Sequence, residues 1–302
     1  TKILQTALDG RGQAVKAEDF MLLNREDSRE LLKGNDVLYI YHNRIDHTGD
    51  KMHSEGQAFE AASTAVIDHH PWDQFLKKYL KPGPDGVNRV AYGRVTGDDR
   101  RALYEYLVAL RLTSIERFNR AEQLAYWINL YETFTVRLML EFYPVNSIKD
   151  IKISSNPLGS IFSGPWDRKL LDVRGEPLSL NDIEHRILRP IWGDPRIHYA
   201  VNCAAVGCPN LQPLAFTGAN TETLLDHAAQ NYVNSPRGAR VEDGQLIVSK
   251  IYAWFVDDFG GSEKGVLAHL RHLAELPLAR ALEGRTSIDD YEYDWGLNDS
   301  RS

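Results

Sequence analysis

Only two cysteines, Cys203 and Cys208, occur in 302 residues. So few cannot build a disulfide framework, and their spacing is wider than the two-residue interval of redox and zinc pairs. Reduced thiols are the expectation. No apolar run approaches the roughly 20 residues of a membrane span, so no membrane span is expected. The beginning of the chain carries neither a signal-peptide core nor a start methionine. A soluble chain, with the cytoplasm favoured and the sequence a possible fragment, is the resulting expectation. Basic residues form no run: 35 Lys+Arg lie scattered among 42 Asp+Glu, for a formal charge of −7. Nucleic acid is therefore not an expected partner. Also missing are a Gly-x-Ser-x-Gly elbow, a phosphate-binding Gly-rich loop, a His-Glu-x-x-His pair and a dinucleotide fingerprint. There is no internal repeat or heptad seam, which excludes solenoids and coiled coils.

What is present is a 43% hydrophobic chain able to fill a real core. "VLYIY" (37–41) reads as a buried strand, followed by a polar loop with His42, Asp46 and Asp50, and then a helix in "GQAFEAASTAVIDHH". His42, Asp46 and Asp50 recur at four-residue steps, but Gly49 and the polar run favour a solvated loop over a metal site. From Trp72 the pattern turns helical. A polar loop over 81–99 precedes a helix in "RRALYEYLVALRLTSIERF". "RAEQLAYWINLYETFTVRLMLEFYPV" predicts a long core helix stopped by Pro144. "RKLLDVRGEPLSL" and "ARVEDGQLIVSKIYAWF" predict hairpins, 196–202 a strand, and "TETLLDHAAQNYVNSP" and "GSEKGVLAHLRHLAEL" helices. The tail "DDYEYDWGLND" is aromatic and acidic. The expected fold class is α+β: a predominantly helical domain with a long buried central helix and a small sheet built from hairpins, behind a short strand-loop-helix segment.

Cys203 is the first candidate for chemistry. At a strand end opening a tight turn, its sulfur would lie near free backbone N–H groups that stabilise a thiolate and an oxyanion. The alternative is a small buried hydrophobe; Cys208, before Pro209, reads as structural. His185 is the candidate base, since an Asn181 N-cap would place it in a first helical turn that favours neutral imidazole. His198, five residues before Cys203 in the expected strand, faces away and is the weaker base. Glu184 joins the catalytic set, although Asn181-x-x-Glu184 is also a capping-box pattern. Gln123 and Asn129 on the central helix are candidate orienting or oxyanion amides, or else satisfy loop backbone. Arg189, Arg196 and Lys250 suit a carboxylate or phosphate, or pair with Asp182, Asp257 and Asp258. Asn202 and His198 complete the candidate binding set. Glu184, His185 and His198 as metal ligands is the weaker reading, because helix neighbours diverge by about 100°. No metal and no cofactor is expected.

Two resemblances cover different parts of the chain. "EQLAYWINLY", "LSLNDIEHRILRP", "DPRIHYAVNCAAVGCPNL", "VSKIYAWFVDDFGG" and "YDWGLND" resemble the domain-of-unknown-function 547 family over about residues 72–302. "AVKAEDFMLLNREDSRELL" and "NDVLYIYHNRIDHTGDKMHSEGQAFEA" resemble PglZ-type proteins of phage-defence systems, whose catalytic domain is similar to alkaline phosphatases. Two domains are expected, an incomplete PglZ-like segment over 1–70 and a DUF547-like domain over 71–302. Three function classes follow. The first is a cysteine-nucleophile hydrolase or acyltransferase acting on an acyl or amide substrate, like papain or transglutaminase in fold, though with His185 preceding Cys203. The second is a noncatalytic domain binding a protein or peptide. The third is a remnant of a phosphatase-like protein. The expected ligand is an unidentified small molecule or peptide.

Overall fold

The computed structural model describes residues 58–151, 153–154, 162–163 and 165–300. The strand expected at 37–41 and the loop with His42, Asp46 and Asp50 lie outside them.

The longest helix, α3 (Arg120–Phe142), organises the larger core. Asn119 starts it by accepting the Glu122 N–H, and extended Tyr143 before Pro144 ends it. Most of its residues are buried on every side, as expected of a central helix. Around it pack α1 (His70–Tyr79) and α2 (Gly97–Leu112), the latter capped by Thr96. Trp72, Phe75 and Leu76 of α1 share a core with Leu107, Trp127 and Leu130. A second core gathers α6 (Thr221–Val233), the β7–β8 hairpin (Ala239–Glu242, Gln245–Ser249) and α8 (Glu263–Leu273).

The fold is α+β and mainly helical, with antiparallel pairs β1–β2 (Leu80–Pro82, Asn88–Val90), β3–β4 (Ile153–Ser154, Phe162–Ser163) and β5–β6 (Leu171–Val173, Glu176–Leu178). Both expected hairpins turn where anticipated: Arg174–Gly175 and Asp243–Gly244 all take positive φ, the two-residue turn that matches strand twist. Between them lie the one-turn helices α4 (Arg189–Trp192) and α5 (Ile197–Ala200), and α7 (Ile251–Trp254) follows β8. The short helix α9 (Leu276–Ala281) precedes the last strand. No helix among the described residues is long and apolar enough to cross a membrane.

Several expectations need correction. Residues 58–69 form no helix. The polar loop at 81–99 holds part of a hairpin, because Leu80 and Val90 are apolar enough to pack its base on the core. The strand expected at 196–202 is instead helix α5, all four of whose residues are buried; a buried turn and a buried strand share the same apolar composition. Residues 251–254 leave the hairpin as α7. The aromatic tail contributes β9 (Asp290–Glu292), parallel to β8, with Ser249 beside Glu292.

Candidate functional site

The site begins at a helix start two residues earlier than the sequence pattern suggested. Asn181 is already helical and caps nothing. Ser179 is the cap: its Oγ accepts the Asp182 N–H at 3.1 Å, while Asp182 Oδ2 accepts the Ser179 N–H at 2.7 Å. This reciprocal pair is a capping box with Asp in place of Glu. Glu184 is thereby relieved of the capping role assigned to it. The helix continues as a π-helix over Asp182–Leu188, whose i→i+5 bonding is frequent at functional sites.

Glu184 and His185 both line one cavity of about 260 Å³, together with His198, Cys203 and Cys208. The Glu184 carboxyl is buried, which alone would raise its pKa. The adjoining His198 imidazole and the nearby Arg189 charge outweigh burial and hold it below the ordinary value. Buried Tyr131 also lines the cavity, and its hydroxyl, pushed well above 10.0 by burial and the Glu184 charge, stays protonated beside that carboxylate.

His198 is not turned away, as strand geometry had implied. Its ring stacks on Phe255 with centroids 4.3 Å apart, and its Nε2 donates to Asp258 Oδ2 at 2.6 Å. Nδ1 lies 3.6 Å from Glu184 Oε1, so the imidazole bridges two carboxylates. Arg189 donates from Nε to the same Asp258 oxygen at 2.6 Å and from Nη1 to His185 Nδ1 at 3.1 Å. A guanidinium only donates, so His185 Nδ1 accepts and the neutral ring carries its proton on Nε2. Burial lowers the His185 pKa, with Glu184 opposing and Arg189 reinforcing the shift, so the neutral form prevails at neutral pH.

The cysteines are not free thiols: Cys203 and Cys208 form a disulfide with Cα atoms 6.3 Å apart. The absence of a wider cysteine framework says nothing about such a local loop. Asn202 clamps it, donating to Pro209 O at 2.6 Å and accepting the Ala204 N–H at 2.8 Å. Gly207 passes so close to the tail that a Cβ there would lie 2.8 Å from Asp294 N. Tyr293, delivered by the tail, places its hydroxyl 3.2 Å from Cys203 Sγ and 3.0 Å from Cys208 Sγ. The turn N–H groups expected to serve an oxyanion are largely engaged: Cys203 N–H with Cys208 Sγ, Ala204 N–H with Asn202, and those of Val206 and Gly207 with Gly296 O and Asp294 O.

Other candidates lie elsewhere. Gln123 spans the carbonyls of Ala58 and Ile115, and Asn129 exchanges both its amide bonds with the Phe216 backbone. Both are structural clamps. Arg196 is held by Asp194, Glu222 and Asp226, and exposed Lys250 does not line the cavity. Arg189 acts from behind the wall. Sequence reasoning missed Tyr131, Trp166, Asp167, Trp254, Phe255, Tyr293 and Trp295 as lining residues, and gave Asp258 only as an ion-pair partner. The alternate spacing of Tyr291, Tyr293 and Trp295 was the one available signal that the tail presents an aromatic face. Among the described residues no group of three or more His, Cys, Asp or Glu side chains is arranged to hold a metal ion.

Comparison with known proteins places two matches on the chain. Residues 1–81 match the family model described as the BREX system PglZ alkaline phosphatase-like domain. Within this stretch, 58 residues are 41% identical to the alkaline phosphatase-like protein BrxZ of Escherichia coli O9:H4 (strain HS), covering 19% of this chain and 7% of that protein. Another 55-residue alignment is 36% identical to the alkaline phosphatase-like protein PglZ of Bacillus cereus (strain H3081.97), covering 18% of this chain and 6% of that protein. No solved structure matches. Residues 115–233 match the family model described as a protein of unknown function, DUF547, and this span contains Tyr131, Glu184, His185, His198 and both cysteines, leaving Trp254, Phe255 and the aromatic tail outside it.

Proposed function

We propose that the cavity is the reaction site of a thiol-dependent hydrolase or acyltransferase in which reduced Cys203 is the nucleophile and His185 the proton carrier. The observation that carries this reading is that Cys203 and His185 line the same cavity, beside a buried carboxylate. A dithiol reductant first opens the Cys203–Cys208 bond, giving two protein thiols and the oxidised reductant. Cys203 Sγ then adds to the carbonyl carbon of an acyl or amide substrate, the leaving group departs with the proton, and water releases the thioester.

Base function requires the other tautomer of His185. Nδ1 lies 3.1 Å from Arg189 Nη1 and 3.9 Å from Glu184 Oε1. If Arg189 relaxes wholly onto Asp258, Nδ1–H can turn to Glu184, leaving the Nε2 lone pair to take the thiol proton. His198 and Asp258 are positioning residues for Glu184 and Arg189. The protonated Tyr293 hydroxyl, already at the sulfur, is the donor best placed for the developing oxyanion.

The test is the pH dependence of iodoacetamide alkylation of Cys203 in the reduced Cys208→Ser protein. The expected outcome is a titration below the free-thiol value of about 8.5, displaced upward by His185→Ala. A titration at or above that value, unchanged by His185→Ala, would reject the nucleophile and leave a noncatalytic binding site.

A further inference from the structure

We infer that the ligand of this cavity carries an alkylammonium group, received by the aromatic ledge of Trp254, Tyr293 and Trp295 beside Asp167. The inference rests on the preceding reading only in that the cavity receives a ligand.

The ledge is a continuous set of rings. Tyr293 and Trp295 have centroids 4.7 Å apart, Trp254 lies 4.9 Å from Tyr293 and 5.6 Å from Trp295, and Trp166 meets Trp295 edge-on at 5.8 Å. Trp254 is 45% exposed, so its ring is presented to solvent instead of filling a core. Such rings attract a cation through their negative faces. The ledge already does so: the Lys149 ammonium sits 4.9 Å from the Trp295 centroid. Lys149 is exposed, so its side chain can leave that face to an incoming group.

Charge points the same way. Asp167 and Glu184 line the cavity with no lysine or arginine among its lining residues; the nearby cations are Lys149, over Trp295, and Arg189, which acts on Glu184. Arg189, behind the wall, is paired with Asp258 and lies over Phe255 at 4.8 Å, a ring separate from the ledge. An anionic ligand would meet two carboxylates. A neutral apolar ligand would gain from the rings but nothing from Asp167, whose exposed carboxylate accepts, among the described residues, from Asn181 Nδ2. A volume of about 260 Å³ suits a short chain bearing one such group.

The experiment titrates the protein, with its disulfide intact, with n-butylammonium, n-butanol and butyrate, following tryptophan fluorescence. Saturable binding of the ammonium alone is expected, weakened roughly tenfold by Trp295→Leu, about 1.4 kcal/mol, and also weakened by Asp167→Asn. Trp254→Leu, at an exposed position, gives the same readout should Trp295→Leu misfold. The inference is overturned if the ammonium shows no saturable signal, if the alcohol or butyrate binds as well, or if folded ledge variants bind like the parent. Because no free thiol is needed, ammonium binding without Cys203 activation would remove the thiol chemistry alone, and the reverse result would remove the ligand class alone.

Discussion

Glu132 offers a test of the core that is independent of the cavity. It lies on α3, 1% exposed, and among the described residues neither its Oε1 nor the Trp72 indole Nε1 has a hydrogen-bond partner. Burial raises its pKa well above 4.5, outweighing the opposing effect of the neighbouring Trp72 indole. The native state therefore keeps a proton that the unfolded chain releases above about pH 4.5. With more protons bound in the native state, stability is full below that pH and falls as pH rises toward the native pKa, by up to about 1.4 kcal/mol per unit. Glu132→Gln removes the titration while keeping the shape. One pH unit above 4.5 the variant should already have gained about 1.4 kcal/mol on the parent relative to their difference in acid, and the gain should widen with further increase in pH.

Nearby His69 works in the opposite direction. Burial lowers its pKa to about 4, so its contribution is lost as pH falls from 6.5 toward that value. This loss is common to both proteins and largely cancels in their difference. Urea denaturation followed by far-ultraviolet circular dichroism at a series of pH values measures that difference. Parallel pH profiles, or a variant that loses ground as pH rises, would refute a protonated Glu132.

Two further perturbations test the local structure that builds the cavity. Ser179→Ala removes the cap and should cost about 1 kcal/mol in urea denaturation, whereas Asn181→Ala should cost much less; the reverse order would restore the cap to Asn181. Reduction of the Cys203–Cys208 bond, which closes a loop of sequence separation 5, should cost about 2 kcal/mol by chain entropy, read as a lower urea midpoint that a Cys203→Ala/Cys208→Ala protein does not show. An unchanged midpoint on reduction would show that the loop is held by Asn202 and the tail without help from the bond.

The central helix and hairpins were legible because their signals are local. Asn119 before an apolar run, Pro144 after it, and Arg-Gly and Asp-Gly pairs between alternating segments each impose one backbone solution. The cap at Ser179 was ambiguous for an equally local reason. "SLNDIE" contains both Ser-x-x-Asp and Asn-x-x-Glu, and two capping boxes two residues apart compete for one helix start. Ser179 prevails with its hydroxyl and its N–H both bonded to Asp182, which Arg186 and Lys169 also hold. That outcome decides what Glu184 is for.

Residues 197–200 failed for a different reason: Ile197, His198, Tyr199 and Ala200 are all buried, so the polar alternation that separates helix from strand is missing. The disulfide was hidden by reasoning from cysteine number, which says nothing of a local loop of sequence separation 5.

The cavity as a whole was illegible because its walls meet only through long-range pairing. β9 runs parallel to β8, and the Lys250 N–H bonds Glu292 O, fixing the tail at that point. The next residue, Tyr293, then meets the sulfurs, and Trp295, two positions on, meets Trp254 and Trp166. A one-residue slip in a strand would exchange its two faces, presenting Asp294 where Tyr293 now stands. The register of three tail residues therefore determines whether the sulfurs see a hydroxyl donor or a carboxylate, and whether the cavity mouth is aromatic or acidic. Cys203 cannot be assigned a chemical environment without that pairing, although it stood out in the sequence.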